Sequence, residues 1–298
     1  MNIRHTFWRF FLRRTFKNKF MSIAENRVYS LNQARRMQQI PQGVEVKRFE
    51  ADGIPAAWVI PPDAGRDKVI LHLHGGGYVL GGIESSQAMC ILMAQILKMK
   101  VALPEYRLAP EHPFPAAVED AVKVYRWLLT QGYEAKNIIL SGDSAGGGLS
   151  LAAAMSLRDA GMSLPGAVVC MSPWADLTFK GKSYITKEKA EPILREDVLR
   201  MWAAAYSGGE NPSHPLISPV YGNFRAFPPL LIQVGGDEIL LDDSVMLAEK
   251  AKSDGANVTL KVWDGMWHVW QALAGLIPES QQAFEQMGDF LKIYDNRH

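Results

Sequence analysis

Short apolar runs alternate along this chain with longer stretches whose apolar residues recur at helical spacing. Lys68–Leu73, Lys100–Leu103, Lys136–Leu140, Gly166–Ser172, Pro229–Val234 and Val258–Trp263 are brief, mostly apolar and read as strands. Ser85–Leu97, Pro115–Gln131, Leu149–Leu157 and a stretch starting near Ser244 read as helices. Pro115 near the start of the second helix and Gly132 just past its end suit those positions. Val44–Glu50 and Ala56–Ile60 flank Asp52-Gly53, a strong turn signal, and predict a hairpin. Strand–helix alternation of this kind predicts an α/β fold: a mostly parallel central sheet flanked by helices, with right-handed crossovers.

Two segments depart from the alternation. Residues 178–211 are polar and charged, then give one helix at Arg195–Tyr206. They fall between two core strands and predict a helical cap inserted into a catalytic domain spanning 41–298. Residues 1–40 are expected to complete the roof. Their basic residues include Arg4, Arg9, Arg13, Arg14, Lys17 and Lys19, with no acid before Glu25. Phe7, Trp8, Phe10, Phe11, Phe16 and Phe20 are interleaved among them. Ile3, Phe7, Phe10 and Phe11 share one helical face, and Arg9, Arg13 and Lys17 another. The expected arrangement is a helix laying its aromatic face over the site. The alternative is weak contact with a membrane surface. Charges interrupt every apolar run, so neither a signal-peptide core nor a spanning helix is predicted.

The chemistry centres on Gly142-Asp143-Ser144-Ala145-Gly146, a Gly-x-Ser-x-Gly between a buried strand and a helix. Such a turn leaves almost no room beside the serine and exposes its hydroxyl at a helix N-terminus. Ser144 is therefore the candidate nucleophile. An earlier strand runs into His74-Gly75-Gly76-Gly77, whose backbone can aim N–H groups at one spot. The N–H groups of Gly76, Gly77 and Ala145 are the candidate oxyanion donors. A phosphate-binding loop fits less well, because neither GxGxxG nor Walker spacing is present.

With this elbow, the acid and then the histidine follow the serine. His5, His72, His74 and His112 precede Ser144, His214 precedes every good acid, and His298 is terminal. That leaves His268 as the base. Asp237, after Gly235-Gly236 at the end of a strand, is the expected orienting acid; Glu238, Asp242 and Asp243 are its rivals. The last two are read as caps of the following helix. His72 and His74 form a His-x-His pair, but no third ligand accompanies them, so no metal is expected.

His74-Gly75-Gly76-Gly77, Gly142-Asp143-Ser144-Ala145-Gly146 and Asp237-Glu238-Ile239-Leu240-Leu241-Asp242 together resemble the bacterial hormone-sensitive-lipase-like esterases. Tyr106-Arg107-Leu108-Ala109-Pro110-Glu111, Ser172-Pro173-Trp174 and Trp267-His268-Val269 also match that family. The resemblance covers about Val44 to the C-terminus. It implies an α/β-hydrolase fold with a helical cap, and cofactor-independent hydrolysis of short- to medium-chain acyl esters. It transfers Ser144, Asp237 and His268 as a triad, with Gly76, Gly77 and Ala145 as oxyanion donors. A homodimer is also plausible by resemblance.

Composition narrows the partners. Net charge is +1, which gives no argument for nucleic acid and leaves a small-molecule ester as the expected partner. Cys90 and Cys170 are isolated and fit reduced packing residues, which favours a cytoplasmic location.

Overall fold

The computed structural model of the protein describes residues 3–17, 21–37 and 39–295; Lys19, Phe20 and His298 lie outside them. Two N-terminal helices, α1 (Ile3–Leu12) and α2 (Ile23–Met37), precede the hairpin β1 (Glu45–Ala51) and β2 (Ile54–Ile60). Then follow β3 (Val69–Leu73), α3 (Ile83–Leu97), β4 (Lys100–Pro104), α4 (Ala116–Thr130), β5 (Ile138–Asp143), α5 (Ala145–Asp159) and β6 (Ala167–Met171). The inserted segment carries α6 (Ser183–Thr186) and α7 (Glu196–Ser207). The chain finishes with β7 (Leu230–Gly235), α8 (Leu241–Ser253), β8 (Val258–Trp263) and α9 (Pro278–Asp295).

One eight-stranded sheet runs in the order β1-β2-β4-β3-β5-β6-β7-β8. The β1–β2 and β2–β4 pairs are antiparallel and the other five are parallel. This is the α/β-hydrolase fold. The helix after β5 begins at Ala145, four residues earlier than the apolar run suggests. The glycines of its first turn are tolerated because Gly146 packs on the end of β3 and Gly147 and Gly148 pack on Pro173 and Trp174.

The central strands β3, β5, β6 and β7 are buried along their whole length. Successive side chains alternate between two cores, as the pleat requires. Leu71, Leu140 and Val168 meet Val124 of α4 and Leu149 of α5. Ile70, Ile139 and Val169 meet Cys90 and Met93 of α3 and Phe284 and Phe290 of α9. Each fully buried aliphatic side chain contributes about 1.5–3 kcal/mol, so these two layers hold the strand ends firmly. Register places Leu73 beside Gly142, Asp143 beside Met171, and Gly235 beside Trp263. The loops leaving the C-terminal ends of β3, β5, β7 and β8 thus emerge at one rim, where ligands bind in open α/β sheets.

The N-terminal helix corrects one expectation. Its phenylalanines do not lie over the site: Phe7, Phe10 and Phe11 are 60%, 67% and 46% exposed. Leu12 is the buried residue, packed with Met266, Trp267 and Trp270. The physical reason is Arg9. Its guanidinium donates to Ala190 O, Asp237 Oδ2 and Gly265 O, and seating it there turns the phenylalanine face outward.

Candidate active site

Ser144 sits between β5 and α5 with φ 54° and ψ −123°, a strained conformation for a residue with a side chain. The flanking glycines are required by contact. A Cβ on Gly142 would collide with the Gly146 carbonyl, and one on Gly146 would collide with the Leu73 and His74 carbonyls. The turn therefore packs directly on the end of β3. The Ser144 carbonyl accepts N–H groups from Gly147, Gly148 and Trp174, which fixes the elbow against the Ser172-Pro173-Trp174 loop.

His268 follows β8. Its Nε2 lies 2.9 Å from Ser144 Oγ, and its Nδ1 lies 2.7 Å from Glu238 Oε2. Glu238 is fully buried, and its second oxygen accepts the Gly235 N–H at 2.7 Å. The expectation that Asp237 orients the histidine is corrected here. The Asp237 side chain is 31% exposed and pairs with Arg9 at 2.6 Å and Lys187 at 3.6 Å. Its backbone N–H donates to Met266 O, which pins the turn so that residue 238, not 237, faces inward. Both residues satisfy the same order along the chain, so only the direction of the turn separates them.

Asp242 and Asp243 are not helix caps either. They lie inside the first turn of α8 and hold the loop after β6 and the start of the inserted segment. Asp242 accepts the Ser183 N–H, and Asp243 accepts those of Ala175 and Asp176.

The glycine loop after β3 takes positive φ at Gly76 (121°) and Gly77 (62°). Asp143 locks it. One carboxylate oxygen accepts the Gly75 N–H at 3.0 Å and pairs with His72 Nε2 at 3.1 Å. Gly77 lies against the Trp202 ring of α7, leaving no space for a Cβ. The N–H of Ala145 is the first of α5, and a helix start leaves it without an intrahelical acceptor. Gly76 and Gly77 line the same cavity as Ser144 and His268. His72 and His74 part company: the first meets Ser141 and Asp143, and the second stacks on Tyr106. Burial pushes His74 down to about 4, so it is neutral.

The cavity holds about 290 Å³. Ile193, Val198, Leu199 and Trp202 line it from the inserted segment, and Phe16, Met21 and Tyr29 from the N-terminal one. Trp202 faces the cavity, while Trp174, Trp267 and Trp270 are fully buried core.

Sequence reasoning missed Glu191. This residue of the inserted segment is fully buried, and its carboxylate accepts the Ile193 N–H at 2.7 Å and the His268 N–H at 3.3 Å. Burial raises its pKa to about 7, and the nearby Glu238 charge adds to the rise. Only the setting of Glu191-Pro192 before apolar Ile193-Leu194 hinted at a buried acid. Burial depresses the His268 pKa, but the hydrogen bond and charge of Glu238, aided by Glu191 and Asp143, raise it overall above the ordinary value. A serine hydroxyl, an imidazole and a carboxylate in sequence can activate an oxygen nucleophile, and a glycine loop lines the same cavity.

Known proteins similar to this chain share its fold. A family described as having the alpha/beta hydrolase fold matches residues 70–272. An acetyl-hydrolase of Streptomyces hygroscopicus is 45% identical over 238 residues, covering 80% of this chain and 79% of its own. An esterase of Acinetobacter venetianus is 35% identical, covering 79% and 78%. The crystal structure of an esterase from the bacterial hormone-sensitive lipase family superposes with a TM-score of 0.95 at 40% identity, covering 99% of each chain.

Proposed function

The chain belongs to the α/β-hydrolase family, among the hormone-sensitive-lipase-like esterases, and from that premise we propose a carboxylesterase acting on short- to medium-chain acyl esters. The observation that carries the reading is the 2.9 Å contact between Ser144 Oγ and His268 Nε2 inside a mostly apolar cavity. Ser144 Oγ attacks the ester carbonyl carbon as His268 Nε2 takes its proton. Glu238 holds the Nδ1–H side of the ring and stabilises the imidazolium. Negative charge on the carbonyl oxygen gathers at the N–H groups of Gly76, Gly77 and Ala145. The tetrahedral adduct collapses, His268 protonates the departing alkoxide, and an acyl group stays on Ser144. Water, giving a proton to His268, then attacks the acyl carbon. Collapse releases the carboxylic acid and returns the proton to Ser144 Oγ.

Residues 1–40 and 178–211 act as the cap in this reading, and their apolar lining receives the acyl chain. A cavity of about 290 Å³ suits a chain of several carbons rather than a long lipid tail. The test is a series of nitrophenyl esters of increasing acyl length, with matched lactones and amides, on wild type and Ser144→Ala. Turnover of esters that peaks at short or medium length and disappears in the variant is expected. Undiminished turnover by Ser144→Ala would remove the nucleophile, and a faster lactone or amide would reassign the substrate.

A weak membrane-surface contact is proposed on the exposed Phe7, Phe10 and Phe11, which share a helix face with Arg4 and Arg14. Co-sedimentation with anionic vesicles, lost in a Phe7→Ser/Phe10→Ser variant, checks it. Among the described residues no helix is long and apolar enough to cross a membrane. Homodimerisation and a cytoplasmic location belong to the same proposal. Light scattering tests the first. For the second, Cys90 and Cys170 are both free and buried, in keeping with a reducing compartment.

A further inference from the structure

Glu191 is a buried acid that the steps above do not use. It comes from the inserted segment, not from the sheet, yet it ends against the loop that carries His268. Its Oε2 accepts the His268 N–H, and its Oε1 accepts the N–H groups of Ile193 and Leu194. Among the described residues no cation forms an ion pair with this carboxylate. The groups around it are His268 and Glu238 on the sheet side, with Asp143 acting on the same imidazole. On the N-terminal side are Lys17, which donates to the Glu191 carbonyl, and Arg9 and Arg13, which donate to the Ala190 carbonyl. These cations grip the backbone of 190–191, and the Lys17 charge also acts on the carboxylate, whose two oxygens are taken by backbone N–H groups. Burying a carboxyl without a direct ion-pair partner is costly and calls for compensation. Here the compensation is three backbone N–H groups, the nearby Lys17 charge and the charge that His268 acquires.

We propose that Glu191 is a positioning residue for His268: docking of the cap segment supplies a second carboxylate that fixes the base loop and stabilises the imidazolium formed in each proton transfer. The proposal rests on the esterase reading for its consequence, but not for its geometry. His268 then answers to two acids of different origin. Glu238 belongs to the sheet and is present whatever the cap does. Glu191 arrives only when 188–194 is seated, so a displaced cap leaves the histidine a weaker base and its loop short of one anchor. Cap closure over a substrate is in this way coupled to the strength of the general base.

The test compares wild type with Glu191→Gln, which keeps the size and an oxygen acceptor for the His268 N–H but removes the charge. Expected are a fall in kcat of about tenfold with KM changed less than about twofold, and an acid limb of kcat/KM shifted to lower pH by about half a unit or more. A role limited to packing would change thermal stability and leave that midpoint in place, which overturns the proposal. So would wild-type kcat and pH profile together. Should the variant fail to fold, the wild-type protein answers by carbon-13 NMR titration of Glu191 and His268. Coupled titration of the two supports the proposal, and independent titrations overturn it. The NMR experiment needs no turnover, so it separates failure of this coupling from failure of the esterase reading, which Ser144→Ala decides.

Discussion

Glu238 reaches His268 with a carboxylate oxygen 2.7 Å from Nδ1, while the adjacent Asp237 points outward into an ion pair with Arg9. Two neighbouring acids thus have opposite employment. The difference is measurable. Glu238→Gln is expected to lower kcat by up to about 10⁴, the loss that follows when a triad histidine loses its orienting carboxylate. Asp237→Asn should keep activity within about threefold while weakening the part-buried pair with Arg9 that helps seat α1. Steady-state kinetics and thermal melts of both variants decide the assignment. Equal losses would return Asp237 to the site.

Gly77 adopts φ 62° with the Trp202 ring where a Cβ would stand. Gly77→Ala is expected to cut kcat by about 10-fold to 10²-fold by displacing a proposed oxyanion donor. Adding Trp202→Ala should restore part of the loss, because it opens the space while leaving the positive φ, whose cost is about 1 kcal/mol. A double variant no better than the single would mean that backbone conformation alone is responsible.

The proposed base works only when neutral. Glu238, with Glu191 and Asp143, holds the His268 pKa above its ordinary value despite burial. A raised pKa keeps the ring protonated to higher pH, so activity is lost on acidification earlier than for a free histidine. The acid limb of kcat/KM should therefore have its midpoint above about 6.5. A midpoint below that value in the pH–rate profile would contradict the charge arrangement.

Glu191 also predicts a stability effect of definite sign. Its folded-state pKa of about 7 lies above that of an exposed carboxyl. The protonated form is favoured by folding, so its contribution is fully present below about pH 4.5 and is lost as pH rises to about 7. Glu191→Gln cannot ionise and should gain stability relative to wild type across that window, by up to about 3 kcal/mol. Melts at pH 5 and pH 8 check it. An advantage that shrinks with rising pH would reverse the sign.

Much of the fold was legible along the chain because the central strands β3, β5, β6 and β7 are buried on both faces and so read as apolar runs. The hairpin about Asp52-Gly53 and helices α3, α4 and α7 fall within two residues of the pattern. Ser144 and His268 were legible because glycine contacts and chain order restrict them. The orientation of α1 was not, since both of its faces offered a plausible partner. Arg9 decided it by finding three acceptors on segments more than 180 residues away.

By itself, the order of residues determined the strand–helix alternation, the elbow at Ser144, the glycine cradle after β3 and a histidine after β8. These depend on local sterics and on apolar periodicity, which act between near neighbours. Which of Asp237 and Glu238 turns inward, where Glu191 ends, and which face of α1 meets water were decided only by tertiary structure. Each depends on a hydrogen bond or ion pair between distant segments, and chain order carries no record of which partner a folded loop will face.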